Sequence, residues 1–176
     1  MIGGGGICDE VLTYIEEWVP DDHSNEYGFQ EELREYLDVQ LNESGNSRGP
    51  VGLGDEMRDQ FPVRKEYGKS QADVAVGDTV GIEMKHNLTN GRINELSGQI
   101  RKYKKEFPCV VVVACGIDHI GGWRELQNEY SGVSTVGMQM NEGKVHFIHK
   151  KEEHFGKDPS EVREDEGGFL DGGGLF

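Results

Sequence analysis

The chain has 176 residues, a net charge of −15 and no apolar run long enough to cross a bilayer, so a membrane-spanning protein is not expected. That length allows one domain with a real core, and its clear apolar segments exclude disorder throughout. Excess Asp and Glu with few Lys is a composition of proteins that work in high salt, where a hydrated acidic surface keeps them dissolved.

Residues 1–8 read as a flexible leader, with neither the basic region nor the apolar stretch of a signal peptide. Asp9 to Val19 has Val11, Leu12, Ile15 and Trp18 on one face, which predicts a short helix stopped by Pro20. A second amphipathic helix runs from Phe29 to Leu41, with Phe29, Leu33, Tyr36 and Leu37 as its stripe. Asn42 to Gly54 is rich in Gly, Asn, Ser and Pro and reads as a loop. Three strands follow, Phe61–Glu66, Ala72–Val76 and Thr79–Lys85, with Gly77-Asp78 as a hairpin signal. Asn94 to Phe107 is a helix with Leu96, Ile100, Tyr103 and Phe107 inward. Val110 to Cys115 is a β-branched run, expected as a strand covered on both faces. A short helix, Trp123–Tyr130, precedes a hairpin of Val133–Met140 and Lys144–His149. His146, His149 and His154 read as surface residues, and 151–176 as an acidic, Gly-rich disordered tail. The whole is an α/β layout, with helices on a mixed sheet in a domain over 9–150.

Three cysteines, Cys8, Cys109 and Cys115, form no paired spacing. They read as buried thiols in a reducing, cytoplasmic setting, with no disulfide and no zinc site. Charge is uneven: Arg58 to Lys105 carries a net of +4 on an otherwise acidic chain. A locally basic site on an acidic body suits a polyanion ligand.

Within that basic segment, Glu83 and Lys85 lie two apart on one strand and point the same way, while Ile82 and Met84 point into the core. Nine residues separate Asp73 from Glu83, enough to turn a hairpin and bring the carboxylates together. Two close carboxylates repel unless a cation lies between them, and Mg²⁺ takes such oxygen ligands. A neighbouring lysine can orient water or stabilise charge on phosphorus. A solvated hairpin with a cross-strand salt bridge is the plainer reading of the same pattern.

Ser70 to Gly116, with Asp73, Glu83 and Lys85 on strands before a helix and a buried strand, resembles the PD-(D/E)xK nuclease superfamily of restriction-endonuclease-like fold. Holliday-junction-resolvase, Mrr and RecB-like branches are similar. Ala72 stands where that motif usually has Pro. The resemblance implies an αβββαβ core over about 28–116, bound Mg²⁺ or Mn²⁺, and DNA cleavage that leaves a 3′ hydroxyl. It implies Asp73, Glu83 and the Met84 carbonyl as metal ligands and Lys85 as the water-assisting cation. Gln99 and Tyr103, spaced i, i+4, resemble the Q-x-x-x-Y signature of the RecB-like branch, with Gln99 ordering the site. A further acid is expected from the first core helix. Glu31 and Glu35 project to solvent, Glu32 lies at the stripe's edge and is the choice, and Gln30 holds the other edge.

Arg64, Lys65, Lys69, Arg92, Arg101 and Tyr103 are the expected nucleic-acid contacts. Cutting both strands of a duplex would favour a homodimer. The tail's Phe169-Leu170 and Leu175-Phe176 could dock on a partner protein, although a solubilising end is the plainer reading. With its acidic composition, the chain reads as that of a halophilic archaeon or its virus, acting inside the cell. A fold that binds DNA or protein without cutting is the alternative.

Overall fold

The computed structural model describes residues 6–43, 61–131 and 143–167. Helix α1 (Ile7–Glu17) buries Val11 and Ile15 and ends two residues short of Val19. Helix α2 (Glu26–Asp38) starts earlier than its apolar stripe suggests, because the Asn25 side chain caps it, accepting from the Gly28 amide at 3.0 Å. It buries Phe29, Leu33 and Leu37 and runs on into a π-helical turn, Val39–Glu43.

Strands β1 (Val63–Tyr67), β2 (Ala72–Val76) and β3 (Val80–Leu88) pair antiparallel in sequence. Helix α3 (Ile93–Glu106) then crosses the sheet so that β4 (Cys109–Ile117) lies parallel to β3. Helix α4 (Ile120–Ser131) precedes β5 (Lys144–Lys150), which runs parallel to β4. The result is a mixed five-stranded sheet in the order β1-β2-β3-β4-β5 with helices on both faces.

Alternation divides the core. Val80, Ile82 and Met84 of β3 join Val74, Val111 and Val113 beneath α1 and α2. On the other face, Leu96 and Ile100 of α3 and Trp123 and Leu126 of α4 cover Val112 and Ala114. Tyr103 and Phe107 cover Ala72, Ala75 and Val110. Strand β4 is buried on both sides, which is why its sequence is a continuous apolar run. Gly81 is required by this packing: a Cβ there would lie 2.4 Å from the Phe107 ring.

Several expectations are corrected. Cys8 and Cys109 form a disulfide across 101 residues with a Cα separation of 6.0 Å, tying α1 to the start of β4, while Cys115 is a buried free thiol. No local spacing could signal a pair so distant in sequence. Ile7 and Cys8 belong to α1, so the leader does not extend to residue 8. The supposed tail is folded through helix α5 (Pro159–Gly167). Phe155 packs on Phe29 with ring centroids 5.3 Å apart, and Asp158 accepts from the Ser160 amide at 2.8 Å. The Asp158-Pro159 pair is a helix-start signal hidden by the charged composition. His154 is buried and His146 half-buried. The expected strand Val133–Met140, the dipeptides Phe169-Leu170 and Leu175-Phe176, and most of the Asn42–Gly54 loop lie outside the described residues. No helix among those described is long and apolar enough to cross a membrane.

A cross-link closing so long a loop restricts the unfolded chain strongly. Reduction in metal-free buffer, or Cys8→Ser, is expected to lower stability by about 2–4 kcal/mol. Thermal unfolding with and without reductant measures it, and equal midpoints would exclude the bond.

Candidate functional site

Strands β2 and β3 pair through Val76↔Val80, Ala75↔Gly81 and Val74↔Ile82. The next rung would set Asp73 opposite Glu83, but the ladder stops there. Instead the Asp73 carboxylate accepts from the Met84 amide at 2.8 Å. β3 continues alone with β4, pairing Glu83 with Val112 and Lys85 with Ala114. The two strands part at the point where the sequence places both acids.

Glu83 and Lys85 are among the most buried charged groups of the described residues, 0% and 3% exposed. Buried charges must be paired or they cost several kcal/mol. Here Lys85 Nζ donates to Glu83 Oε1, and to the Met84 carbonyl at 3.1 Å. The other carboxylate oxygen, Glu83 Oε2, accepts from the Tyr103 hydroxyl at 2.5 Å. That hydroxyl oxygen in turn accepts from the Asp73 amide at 3.1 Å. One phenol on α3 therefore touches both acid-bearing strands.

Burial, then the charge of Glu83, pushes the Asp73 carboxyl up to about 7. Burial works to lower the Lys85 ammonium, yet Glu83, Glu26 and Asp73 together hold it above its ordinary value. Lys85 is thus a fixed cation at neutral pH. Burial first, and then Glu83 and Asp73, raise the Tyr103 phenol, so it stays a donor.

Asp73, Glu83, Lys85 and the Met84 carbonyl come together. Glu32 does not join them. It accepts from Trp18 Nε1 at 3.1 Å and from the Asp21 amide at 3.1 Å, and pairs with His23 at 2.6 Å, fastening the α1–α2 connection. The acid of α2 that lies beside Lys85 is Glu26: it accepts from the His86 amide at 3.0 Å and lies 3.7 Å from Lys85 Nζ. Its signal was present, since Glu26 precedes Phe29 by three and Leu33 by seven and so lies within the buried stripe. A helix start placed at Phe29 hid it.

Gln99 lies one turn before Tyr103 on α3, and its Oε1 is buried with no hydrogen-bond partner among the described residues. Tyr103, expected to contact nucleic acid, is instead a buried strut of the site. Arg92 is engaged by Glu26 at 3.2 Å, and Lys65 by Glu31 at 3.0 Å and by the Tyr27 ring at 3.5 Å. Arg64 covers the Tyr67 ring at 4.8 Å, and Arg101 donates to Ser97 at 3.2 Å. Lys69 lines an open groove of about 400 Å³ with Ser70, Lys102, Lys105 and Glu106.

The donors here are all oxygens: two carboxylates and a main-chain carbonyl, with Glu26 nearby. That set suits Mg²⁺ or Mn²⁺ better than a soft ion. Asp73, Glu83 and Glu26 do not form a group of three whose ligand atoms all lie within 4.8 Å of one another. Among the described residues, the group whose three ligand atoms lie within 4.8 Å of one another is elsewhere, at Cys8, Cys109 and His146. At the acids, the Lys85 ammonium supplies the counter-charge.

Two consequences are measurable. The folded Asp73 holds its proton up to about pH 7, whereas the unfolded one releases it near 3.8. Its contribution therefore favours folding at low pH and is lost as pH rises between those values. Asp73→Asn, which keeps the acceptor for Met84, is expected to stabilise the metal-free chain above pH 7 by on the order of 2 kcal/mol. Denaturant melts at pH 5 and pH 8 check the sign. Tyr103→Phe leaves a buried carboxylate oxygen short of a donor and is expected to cost about 1–3 kcal/mol in the same melts. Set against family models, curated proteins and solved structures, the chain matches none, so its reading rests on the geometry of these side chains.

Proposed function

We propose that the chain is a metal-dependent phosphodiesterase acting on DNA, built on a restriction-endonuclease-like core. The observation that carries this reading is the parting of β2 and β3 at Asp73 and Glu83, with Lys85 and the Met84 carbonyl at the same point. The element order α2-β1-β2-β3-α3-β4 supports the proposed core.

Asp73, Glu83 and the Met84 carbonyl would hold the ion, with Gln99 and Glu26 completing its surroundings. When bound, Mg²⁺ supplies a Lewis acid for phosphate oxygens and water. Lys85, held as a cation beside Glu83 and the Met84 carbonyl, would orient water and meet negative charge gathering on phosphorus. Tyr103 would keep Glu83 oriented. The groove at Lys69, Lys102 and Lys105 offers a cationic track for a phosphate backbone.

A second reading is favoured by one observation. Both oxygens of Glu83 are already engaged, by Lys85 and by Tyr103, as in a core that has exchanged metal binding for a buried ion pair. Such a chain would bind DNA or a protein without cutting.

The test is plasmid and linear DNA incubated with purified protein in high-salt buffer with Mg²⁺ or Mn²⁺. Cleavage is expected, with Lys85→Ala reducing it at least about a hundredfold. Calorimetric titration should show an ion bound by the wild type and none by Asp73→Ala. Cleavage unchanged in Lys85→Ala would sink the assignment, and absence of both ion binding and cleavage would favour the non-cutting module.

A further inference from the structure

Away from the acids, the opposite face of the sheet carries a different donor set. Cys109 opens β4, and His146 on β5 pairs in register with Val111, so both face α1. Cys8 reaches them from the first turn of α1. Cys8 Sγ lies 3.8 Å from His146 Nε2, and the two sulfurs and one ring nitrogen all fall within 4.8 Å of one another. A disulfide needs only the two sulfurs. The imidazole brought to them from a third element, half-buried against an otherwise apolar layer, is left without a role by the disulfide alone.

We propose that Cys8, Cys109 and His146 form a zinc site when the cysteines are reduced, so that the same three elements are fastened by a bond in one state and by a metal in the other. A dithiol reductant supplies two electrons and two protons. The Sγ–Sγ bond breaks, two thiols form, and the reductant leaves as its own disulfide. Zn²⁺ then displaces both thiol protons to solvent and takes two thiolates and the neutral Nε2, with water in the fourth position. Soft sulfur and imidazole donors select this ion, whereas the all-oxygen set near Asp73 does not. Cys8 and His146 are only partly buried, so reductant and metal have access. The modest separation of the two backbones, 6.0 Å between Cα atoms, leaves side-chain rotation to open the sulfurs around an ion.

The experiment uses the full chain with Asp73→Ala, which removes the oxygen site from the readout. Protein reduced with a dithiol, desalted under nitrogen and titrated with Co²⁺ as a spectroscopic stand-in should take up one ion per chain. It should show sulfur-to-cobalt charge transfer, and Zn²⁺ should abolish that band. The same protein left oxidised should show none. Cys8→Ser should lose the band, His146→Ala should weaken binding tenfold or more, and Cys115→Ser should leave both unchanged. Circular dichroism on each variant separates lost ligation from lost fold. Equal spectra for reduced and oxidised protein, or a band that survives Cys8→Ser in a folded chain, overturns the proposal. None of these outcomes depends on whether the chain cleaves DNA.

Discussion

A carboxylate with no exposed surface, Glu83, is the constraint on which the centre of this structure depends. Left unpaired, its charge would be strongly disfavoured by an apolar interior. The fold answers from three directions: an ammonium two residues along the same strand, a phenol from α3, and a second strand that opens just before the acid. Asp73 adds to the burden, since its own charge is disfavoured by the same burial and by Glu83. Buried ion pairs of this kind are seldom the most stable solution, and apolar residues of similar size often do better. Retaining one at the seam of a sheet is easier to understand where the charges have work to do, which is the physical content of the functional reading.

Much of the fold was legible because periodicity was strong where packing is strong. Ala72–Val76 needs no adjustment, and the β4 run announces a strand buried on both faces. The phase of Glu83 and Lys85 followed from alternation alone, since Ile82 and Met84 leave only one face for them. What could not be read were contacts set by tertiary structure. The stripe of α2 contained Glu26 all along, but the true start of that helix is fixed by an Asn25 cap outside the apolar pattern. Glu32, chosen at the stripe's edge, has its carboxylate taken by Trp18, Asp21 and His23. The Cys8–Cys109 pairing joins residues 101 apart and leaves no trace in local spacing. Residues 151–167 were misjudged because charge outweighed one anchor, Phe155, and one cap, Asp158.

The basic character of Arg58–Lys105 also changes meaning once folded. In sequence it looks like a positive surface. In space Arg92 faces Glu26, Lys65 faces Glu31, Lys85 is inside, and Arg64 lies over an aromatic ring. Lys65, Lys85 and Arg92 pair with acids of α2 and hold that helix against the sheet. Lys69, Lys102 and Lys105 instead line an open groove. High salt weakens exposed pairs more than buried ones, so Lys85 and Glu83 keep their attraction under conditions that dissolve the outer ones.

Gly81 gives the site its dimensions. Because that position carries no side chain, the Phe107 ring can settle on the strand itself, and α3 descends with it. Tyr103 lies one turn earlier on that helix, its ring 6.1 Å from Phe107, and its hydroxyl reaches Glu83 only at this height. A single added methyl group would act as a wedge under the helix and lift the phenol away from the acid two residues along the same strand. The clearance between helix and sheet, and so the reach of every α3 side chain toward the acids, is calibrated by an atom that is not there.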